Sequence, residues 1–141
     1  MDRQDWVLLA LNFGGAKGLS PVQLQKSLFL LGMEVPEVRG SFYDFFPHNY
    51  GPFCKEIYAD AERMAQEGLV VIERTQQSHS MFLITAIGEA RVAHVRPEVP
   101  PRTWEYLRTA VEWTQQQSFS GLIRAIYDKY PEYRVNSVFQ Y

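Results

Sequence analysis

The fold is decided by the sequence FYDFFPHNYGPFCKEIYADAERMAQEGLVVIERTQQSHSMFLITAIGEA, which covers residues 42–90. From Pro52 the apolar side chains return every three or four positions as far as Gly68, and this spacing predicts an amphipathic helix with a left-handed glycine cap. Two short runs rich in β-branched and aromatic residues follow at 69–72 and 81–84. Because a polar segment separates them, they predict a β-hairpin with a loop of several residues.

A further helix is predicted after the hairpin, because Thr85 is a suitable N-cap and the apolar pattern continues to about Val95. The order of helix, hairpin and helix is typical of a winged helix. A proline-rich stretch at 97–101 then marks a break in the chain. Two more helices are predicted beyond it, at about 103–115 and 120–130.

The N-terminal part of the chain predicts two helices. The first covers residues 2–13, where apolar side chains share one stripe. The second begins with a capping box, in which Ser20 and Gln23 satisfy each other's backbone N–H groups and Pro21 takes the first helical position. This helix is predicted to end at about Leu31.

The link between the second and third predicted helices, residues 32–51, has no helical period. Six of the twelve residues at positions 42–53 are aromatic. Because aromatic residues favour strands, the link predicts a short edge strand and an ordered loop.

Together these elements predict a mainly α fold with a small β-hairpin (α+β). A winged-helix-like core covers about residues 1–95, and two additional C-terminal helices form an extension over about 103–141. The length of 141 residues fits a single domain, 1–141, that buries a core without disulfides. With 46% hydrophobic and 21% charged residues, the composition is that of a folded globular protein.

The longest apolar runs, such as residues 69–72, are far shorter than the roughly 20 residues that cross a bilayer, so no membrane association is expected. The first five residues are mixed in charge, unlike a secretory signal, and a cytoplasmic location is expected. The net charge of −2 shows none of the basic bias common in proteins that bind nucleic acids.

Nothing in the sequence indicates catalysis. His48, His79 and His94 lie in different predicted elements, without a carboxylate or cysteine at metal-ligand spacing. Cys54 is the only cysteine, which excludes an internal disulfide and a thiol metal cluster. In the first turn of the third helix, the helix dipole would lower the pKa of Cys54, but a small buried residue is the simpler interpretation. We therefore expect no enzymatic activity, no cofactor and no metal.

Four segments carry a resemblance to a known family: SPVQLQKSLFLL at 20–31, YGPF at 50–53, GLV at 68–70 and LITAIG at 83–88. Together they resemble the SocA-like antitoxin (Panacea) domain. The ending IYDKYPEY at 126–133 is similar to small uncharacterised bacterial proteins related to that domain. The resemblance implies a bacterial or phage protein without enzymatic activity that acts by binding a toxin or another protein.

A winged helix also allows DNA binding, with the third helix in the major groove and the hairpin on the backbone. The candidate DNA contacts are Lys55, Arg63, Gln66, Arg74, Gln76 and Gln77. Over residues 52–68, however, two cations stand against four carboxylates, and the resulting net charge of −2 would repel phosphates. The long link also departs from the short turn of a helix-turn-helix. DNA-binding regulation is therefore kept as the alternative function.

The preferred hypothesis is a protein-interaction module of antitoxin type. Aromatic side chains bury a large area with few rotors to freeze, and so they contribute strongly to interfaces. The partner is expected to be a toxin-like protein or a second copy of the chain. The residues expected to contact it are Phe45, Phe46 and Tyr50 of the link, with Glu56 and Asp60 of the acidic third helix. The alternative is that the aromatic residues of the link only seal the core.

Overall fold

The computed structural model describes residues 1–74 and 80–140. Over these residues the protein is mainly helical, with two antiparallel sheets of two strands each, which confirms the mainly α class with a small hairpin. The helices are α1 (Asp5–Gly14), α2 (Pro21–Glu34), α3 (Lys55–Gln66), α4 (Ala86–Val95), α5 (Pro101–Gln116) and α6 (Phe119–Lys129). The strands are β1 (Phe46–His48), β2 (Gly51–Phe53), β3 (Val70–Arg74) and β4 (Ser80–Ile84).

Helix α2 begins as the sequence predicts. The Ser20 hydroxyl accepts a hydrogen bond from the Gln23 backbone N–H at 3.3 Å, and the Gln23 side chain accepts one from the Ser20 N–H at 2.9 Å. Pro21 stands in the first turn, where its missing N–H needs no partner. The helix runs past its predicted end and stops at Glu34.

Helix α1 lies at the centre of the fold. Its residues 5–11 are all buried, and Val7 and Leu9 are 0% exposed. Helices α2, α4 and α5 all contact it. The prediction of a single apolar stripe on this helix is therefore too narrow. A helix that is apolar on all sides has to be surrounded by other elements of the fold. Helix α5 contributes Leu107 and Val111 to the same buried cluster.

The hairpin after α3 is confirmed, with β3 antiparallel to β4 and Ile72 opposite Phe82. Leu19, just before α2, exchanges two backbone hydrogen bonds with Phe82, at 2.9 and 2.8 Å. The segment between α1 and α2 is thereby attached to the edge of the hairpin. The candidate wing residues Gln76 and Gln77 lie outside the described residues.

Local caps on both sides of this hairpin follow the sequence. Gly68 has φ of 82°, the left-handed conformation expected after α3. The Thr85 hydroxyl accepts a hydrogen bond from the Gly88 N–H at 3.1 Å and so caps α4.

In the link between α2 and α3 the predicted short strand is present as β1, but its pairing with a second strand was not predicted. This link contains a second hairpin, β1–β2, in which Pro47 lies opposite Pro52. Because neither proline has an N–H, this pair exchanges no hydrogen bond, and the two prolines conceal the hairpin in the sequence pattern. Helix α3 therefore begins at Lys55 rather than at Pro52.

The two C-terminal helices are confirmed with slightly different bounds. Helix α6 is capped by Ser118, whose hydroxyl accepts a hydrogen bond from the Gly121 N–H at 3.0 Å. Leu122 and Ile126 of α6 pack with Phe29 of α2 in a second buried cluster. Within residues 1–74 and 80–140, the helices are too short or too polar to traverse a lipid bilayer.

Candidate functional site

Two side chains of α2 join that helix to the junction of β2 and α3. Gln25 binds both backbone groups of Cys54: its Nε2 donates to the carbonyl at 2.8 Å and its Oε1 accepts from the N–H at 2.9 Å. The next residue, Lys26, donates from Nζ to the Pro52 carbonyl at 3.0 Å. The segments Leu24-Gln25-Lys26 and Tyr50-Gly51-Pro52, which both belong to the family resemblance, therefore lie next to each other.

Lys26 is a buried lysine without a carboxylate partner among the described residues. It is only 3% exposed, and the Pro52 carbonyl accepts its hydrogen bond. Because no carboxylate in the described part of the chain offsets this burial, desolvation lowers the pKa of Lys26 to about 7.

A cavity of about 490 Å³ opens beside Lys26. The first turn of α2, the β1–β2 hairpin and the start of α6 enclose it. Its lining combines the polar side chains of Gln23 and Lys26 with the aromatic rings of Tyr50, Phe53 and Phe119. This volume lies in the range of small-molecule binding sites. We call it the Lys26 cavity.

The three aromatic residues predicted to contact a partner differ in their exposure. Phe46 is 66% exposed and Tyr50 45% exposed, so both are available at the surface. The Tyr50 ring contacts the 49% exposed Phe119, with ring centroids 5.3 Å apart. Phe45 instead is partly buried and packs edge-on against Phe29, with ring centroids 5.4 Å apart. Phe45 is therefore a core contact rather than part of an exposed surface.

The predicted acidic face of α3 also needs correction at Asp60. This residue is only 2% exposed. Its carboxylate accepts hydrogen bonds from Tyr43 Oη at 2.6 Å, from Arg63 Nη2 at 2.6 Å and from Arg3 Nε at 3.3 Å. Asp60 therefore connects α3 to the N-terminus and to the link, and it offers no charge to a partner.

Cys54 and Glu56 form a local pair at the start of α3. Cys54 is 3% exposed at the N-cap, and its Sγ donates to Glu56 Oε2 at 3.3 Å. Burial and this hydrogen bond raise the pKa of the Cys54 thiol. The simpler interpretation, a small buried residue, is confirmed, and the dipole-activated thiolate is not. Glu56 is half-buried rather than fully exposed.

Two of the described residues predicted to contact DNA form ion pairs with carboxylates. Arg63 pairs with Asp60 at 2.6 Å, and Arg74 pairs with Glu62 at 3.4 Å. Lys55 and Gln66 are exposed on α3. The structure thus brings no cluster of free cations together from the predicted set that it describes.

No group of three or more metal-ligating side chains occurs in the part of the chain that the structure describes. His48 lies on β1 and His94 on α4, while His79 is outside the described residues.

Sequence reasoning did not identify Lys26 and Phe119 as site residues. One signal for Lys26 exists, because it is the only cation in the apolar stretch of α2 from Leu24 to Leu31. A lone charge on the buried side of a helix calls for a partner. Phe119 follows a polar turn and gives no such signal.

No protein-family model matches the chain, and no curated protein matches it.

Proposed function

We propose that the protein is a non-enzymatic interaction module of antitoxin type, which binds a protein partner through a surface around hairpin β1–β2. This hairpin surface consists of Phe46, Tyr50, Phe119, Val135 and Val138. One observation carries the proposal: of the eight large hydrophobic side chains exposed in the described residues, these five lie on the hairpin, on segments that contact it or directly after such a segment. Grouped exposed apolar residues mark interaction sites more often than scattered ones do.

The members of the hairpin surface lie on the hairpin or on segments that contact it. The turn Pro131–Arg134, which leads to Val135, packs against β1. The Val138 N–H donates to the Asn49 carbonyl at 3.0 Å. Tyr50 and Phe119 contact each other directly.

The resemblance to the SocA-like antitoxin domain belongs to this proposal. It gains support from the contact of Lys26 with Pro52, because this hydrogen bond joins two of the segments that carry the resemblance. A winged-helix core is also part of the proposal. The order α1, α2, α3 and hairpin supports it, as does the pairing of Leu19 with Phe82 at the hairpin edge.

DNA binding has less support as the alternative. Arg63 and Arg74 already contact carboxylates, so their charges are partly neutralised before any phosphate approaches. Submicromolar, salt-sensitive binding to a specific duplex in a fluorescence titration would favour this alternative over a protein partner.

The test of partner binding compares two double variants with similar exposed area. Phe46→Ser with Phe119→Ser removes the hairpin surface, and Val71→Ser with Ile87→Ser removes apolar side chains of similar exposure elsewhere. Tagged proteins are used to capture partners from native host cells, followed by binding measurements with the purified partner. We expect the first variant to lose at least about ten-fold in affinity and the second to bind normally, because buried aromatic anchors dominate interfaces.

A second copy of the chain is the partner that can be tested first. Light scattering after size exclusion would show a dimer for the wild type and for the Val71→Ser, Ile87→Ser variant, and a monomer for the hairpin variant. If a folded Phe46→Ser, Phe119→Ser variant retains every interaction of the wild type, the hairpin surface is not the docking site.

A further inference from the structure

The lining of the Lys26 cavity includes a lysine but no carboxylate. None of the described residues that line it is Asp or Glu. Lys26 uses one of its three N–H donors on the Pro52 carbonyl, while the side chain is almost completely buried. Buried charges in proteins are normally paired. In the described residues, the anion that would pair with Lys26 is not supplied by the chain.

Two helix starts add positive potential to the same cavity. The 14-residue α2 begins at its wall with Pro21 and Gln23, and the 11-residue α6 begins there with Phe119. The aligned peptide groups of a helix place a partial positive charge at its N-terminus. Both helix ends, and Lys26 in its protonated form, therefore contribute positive potential at the cavity.

The remaining wall favours an apolar group. Tyr50, Phe53, Phe119 and Leu122 line the cavity with aromatic and aliphatic surface. A bare inorganic anion would leave this surface without a contact. A ligand that fits must therefore join a negative charge to an apolar body.

We propose that the Lys26 cavity binds a small organic acid, with its carboxylate at Lys26 and its aromatic or branched apolar body against Tyr50 and Phe119. A single carboxylate matches the single ammonium, and the volume of about 490 Å³ accommodates a compact ligand. This site does not depend on the proposed protein partner, although Tyr50 and Phe119 contribute to both surfaces.

The test uses two acids, 3-phenylpropionate and 4-methylpentanoate, each compared with its neutral amide. Binding is measured by calorimetry and located by amide chemical shifts. In the wild type we expect each acid to bind at least about ten-fold more tightly than its amide, because a hydrogen bond to a charged group is stronger than a neutral one. The largest shifts are expected at Lys26, Tyr50 and Phe119.

Three variants separate the charge from the apolar wall. Lys26→Met is expected to abolish the preference for acid over amide, while Lys55→Met, which removes an exposed lysine, keeps it. Phe119→Ala changes only an exposed side chain and is expected to weaken acid and amide by a similar factor. The proposal is overturned if neither acid binds saturably below about 1 mM, if the wild type binds acid and amide equally, or if Lys26→Met retains the preference.

Proton linkage gives a second readout. Because burial lowers the pKa of Lys26 to about 7, binding of a carboxylate stabilises the ammonium form, and the Lys26 amine takes up a proton near neutral pH. Calorimetry in two buffers of different ionisation enthalpy measures this uptake. The other titratable groups are His48 on β1 and Tyr58 on α3, which line the cavity, and Tyr127 on α6, which lies near Gly51 beside Lys26. His48→Gln is expected to keep the uptake and Lys26→Met to lose it, whereas the reverse result would contradict the role of Lys26.

Discussion

Asp60 and Lys26 are both at most 3% exposed, but their surroundings differ. The Asp60 carboxylate receives hydrogen bonds from Tyr43, Arg63 and Arg3. Lys26 donates a hydrogen bond only to the Pro52 carbonyl among the described residues. Asp60 is therefore fixed by hydrogen bonds within the fold, whereas burial lowers the pKa of Lys26 to about 7, so that its charged and neutral forms are both populated near neutral pH.

The first prediction at this scale concerns Lys26→Met. The folded pKa of Lys26 is lowered to about 7 from 10.5, so the unfolded chain binds more protons between these values and the stability of the wild type rises with pH. Relative to Lys26→Met, the free energy of unfolding of the wild type should increase by on the order of 1 kcal/mol per pH unit between pH 7 and 9. Urea denaturation at several pH values measures it. A difference that does not change with pH would contradict the burial of an unpaired lysine.

A second prediction concerns Asp60→Asn. The amide cannot serve as the anion for Arg3 and Arg63, which are themselves partly exposed. We expect the free energy of unfolding to fall by about 1–3 kcal/mol, because a buried charge-assisted network is broken. Glu62→Gln on the same helix alters an exposed pair and should change stability by less than about 0.5 kcal/mol. Equal effects of the two substitutions in urea denaturation would argue against a structural role for Asp60.

At the level of elements, hairpin β1–β2 is stabilised mainly by contacts with other parts of the chain. Its strands have three residues each, and an isolated two-stranded hairpin is at best marginally stable. Lys26 binds it from α2, and Val138 binds it from the C-terminal segment. The position of the hairpin surface therefore depends on α2 and on the chain after α6.

A prediction at this level concerns Gly51→Ala. Gly51 has φ of 101°, a conformation that side-chain-bearing residues rarely adopt, while an added Cβ would meet Tyr127 at 3.4 Å, an ordinary contact. The cost is therefore expected from the backbone, at about 1–3 kcal/mol of unfolding free energy. Gly40→Ala adds a Cβ in open space at ordinary φ and is the matched control. Thermal or urea unfolding that cannot distinguish the two variants would contradict the strain at Gly51.

Local chemistry made several elements predictable from the sequence. The caps at Ser20, Gly68 and Thr85 depend on neighbours within a few residues, and each was identified from the sequence, the one at Ser20 together with its partner Gln23. The hairpin β1–β2 was missed because its pairing is masked by Pro47 and Pro52 and its support comes from distant segments. For the same reason, the predicted start of α3 at Pro52 fell inside strand β2.

For the whole molecule, the main limit of sequence reasoning is that burial is set by distant elements. The Lys26 cavity combines α2, the β1–β2 hairpin and α6, and the start of α6 lies more than 90 residues after Lys26 in the chain. Nothing within either segment indicates that Phe119 faces Tyr50. Periodicity and capping residues predicted the class of the fold, but the site arises only when these elements come together.

Helices α5 and α6 are parts of the same packing arrangement as the N-terminal helices. Leu107 and Val111 of α5 share a buried cluster with Trp6 of α1, and Leu122 of α6 packs with Phe29 of α2. If α5 and α6 were an extension added to an independently folded core, they would not contribute residues to these buried clusters.

The corresponding prediction is that a chain ending at residue 99 does not fold on its own. Its loss of Leu107, Val111 and Leu122 would expose the apolar faces of α1 and α2, and each fully buried aliphatic side chain contributes about 1.5–3 kcal/mol. A chain ending at residue 134 keeps both helices and should remain folded. Amide chemical-shift dispersion distinguishes the two cases, and a well-dispersed spectrum for the shorter chain would show that its core is independent.

The contact between Gln25 and Cys54 also provides a built-in reporter of motion. The Cys54 N–H is bound by the Gln25 side chain at 2.9 Å, so its deuterium exchange requires this contact between α2 and the start of α3 to open. The exchange rate of this single proton therefore measures how often the two segments part, and comparing it with protons inside α3 tells whether they part locally or only when the whole molecule unfolds.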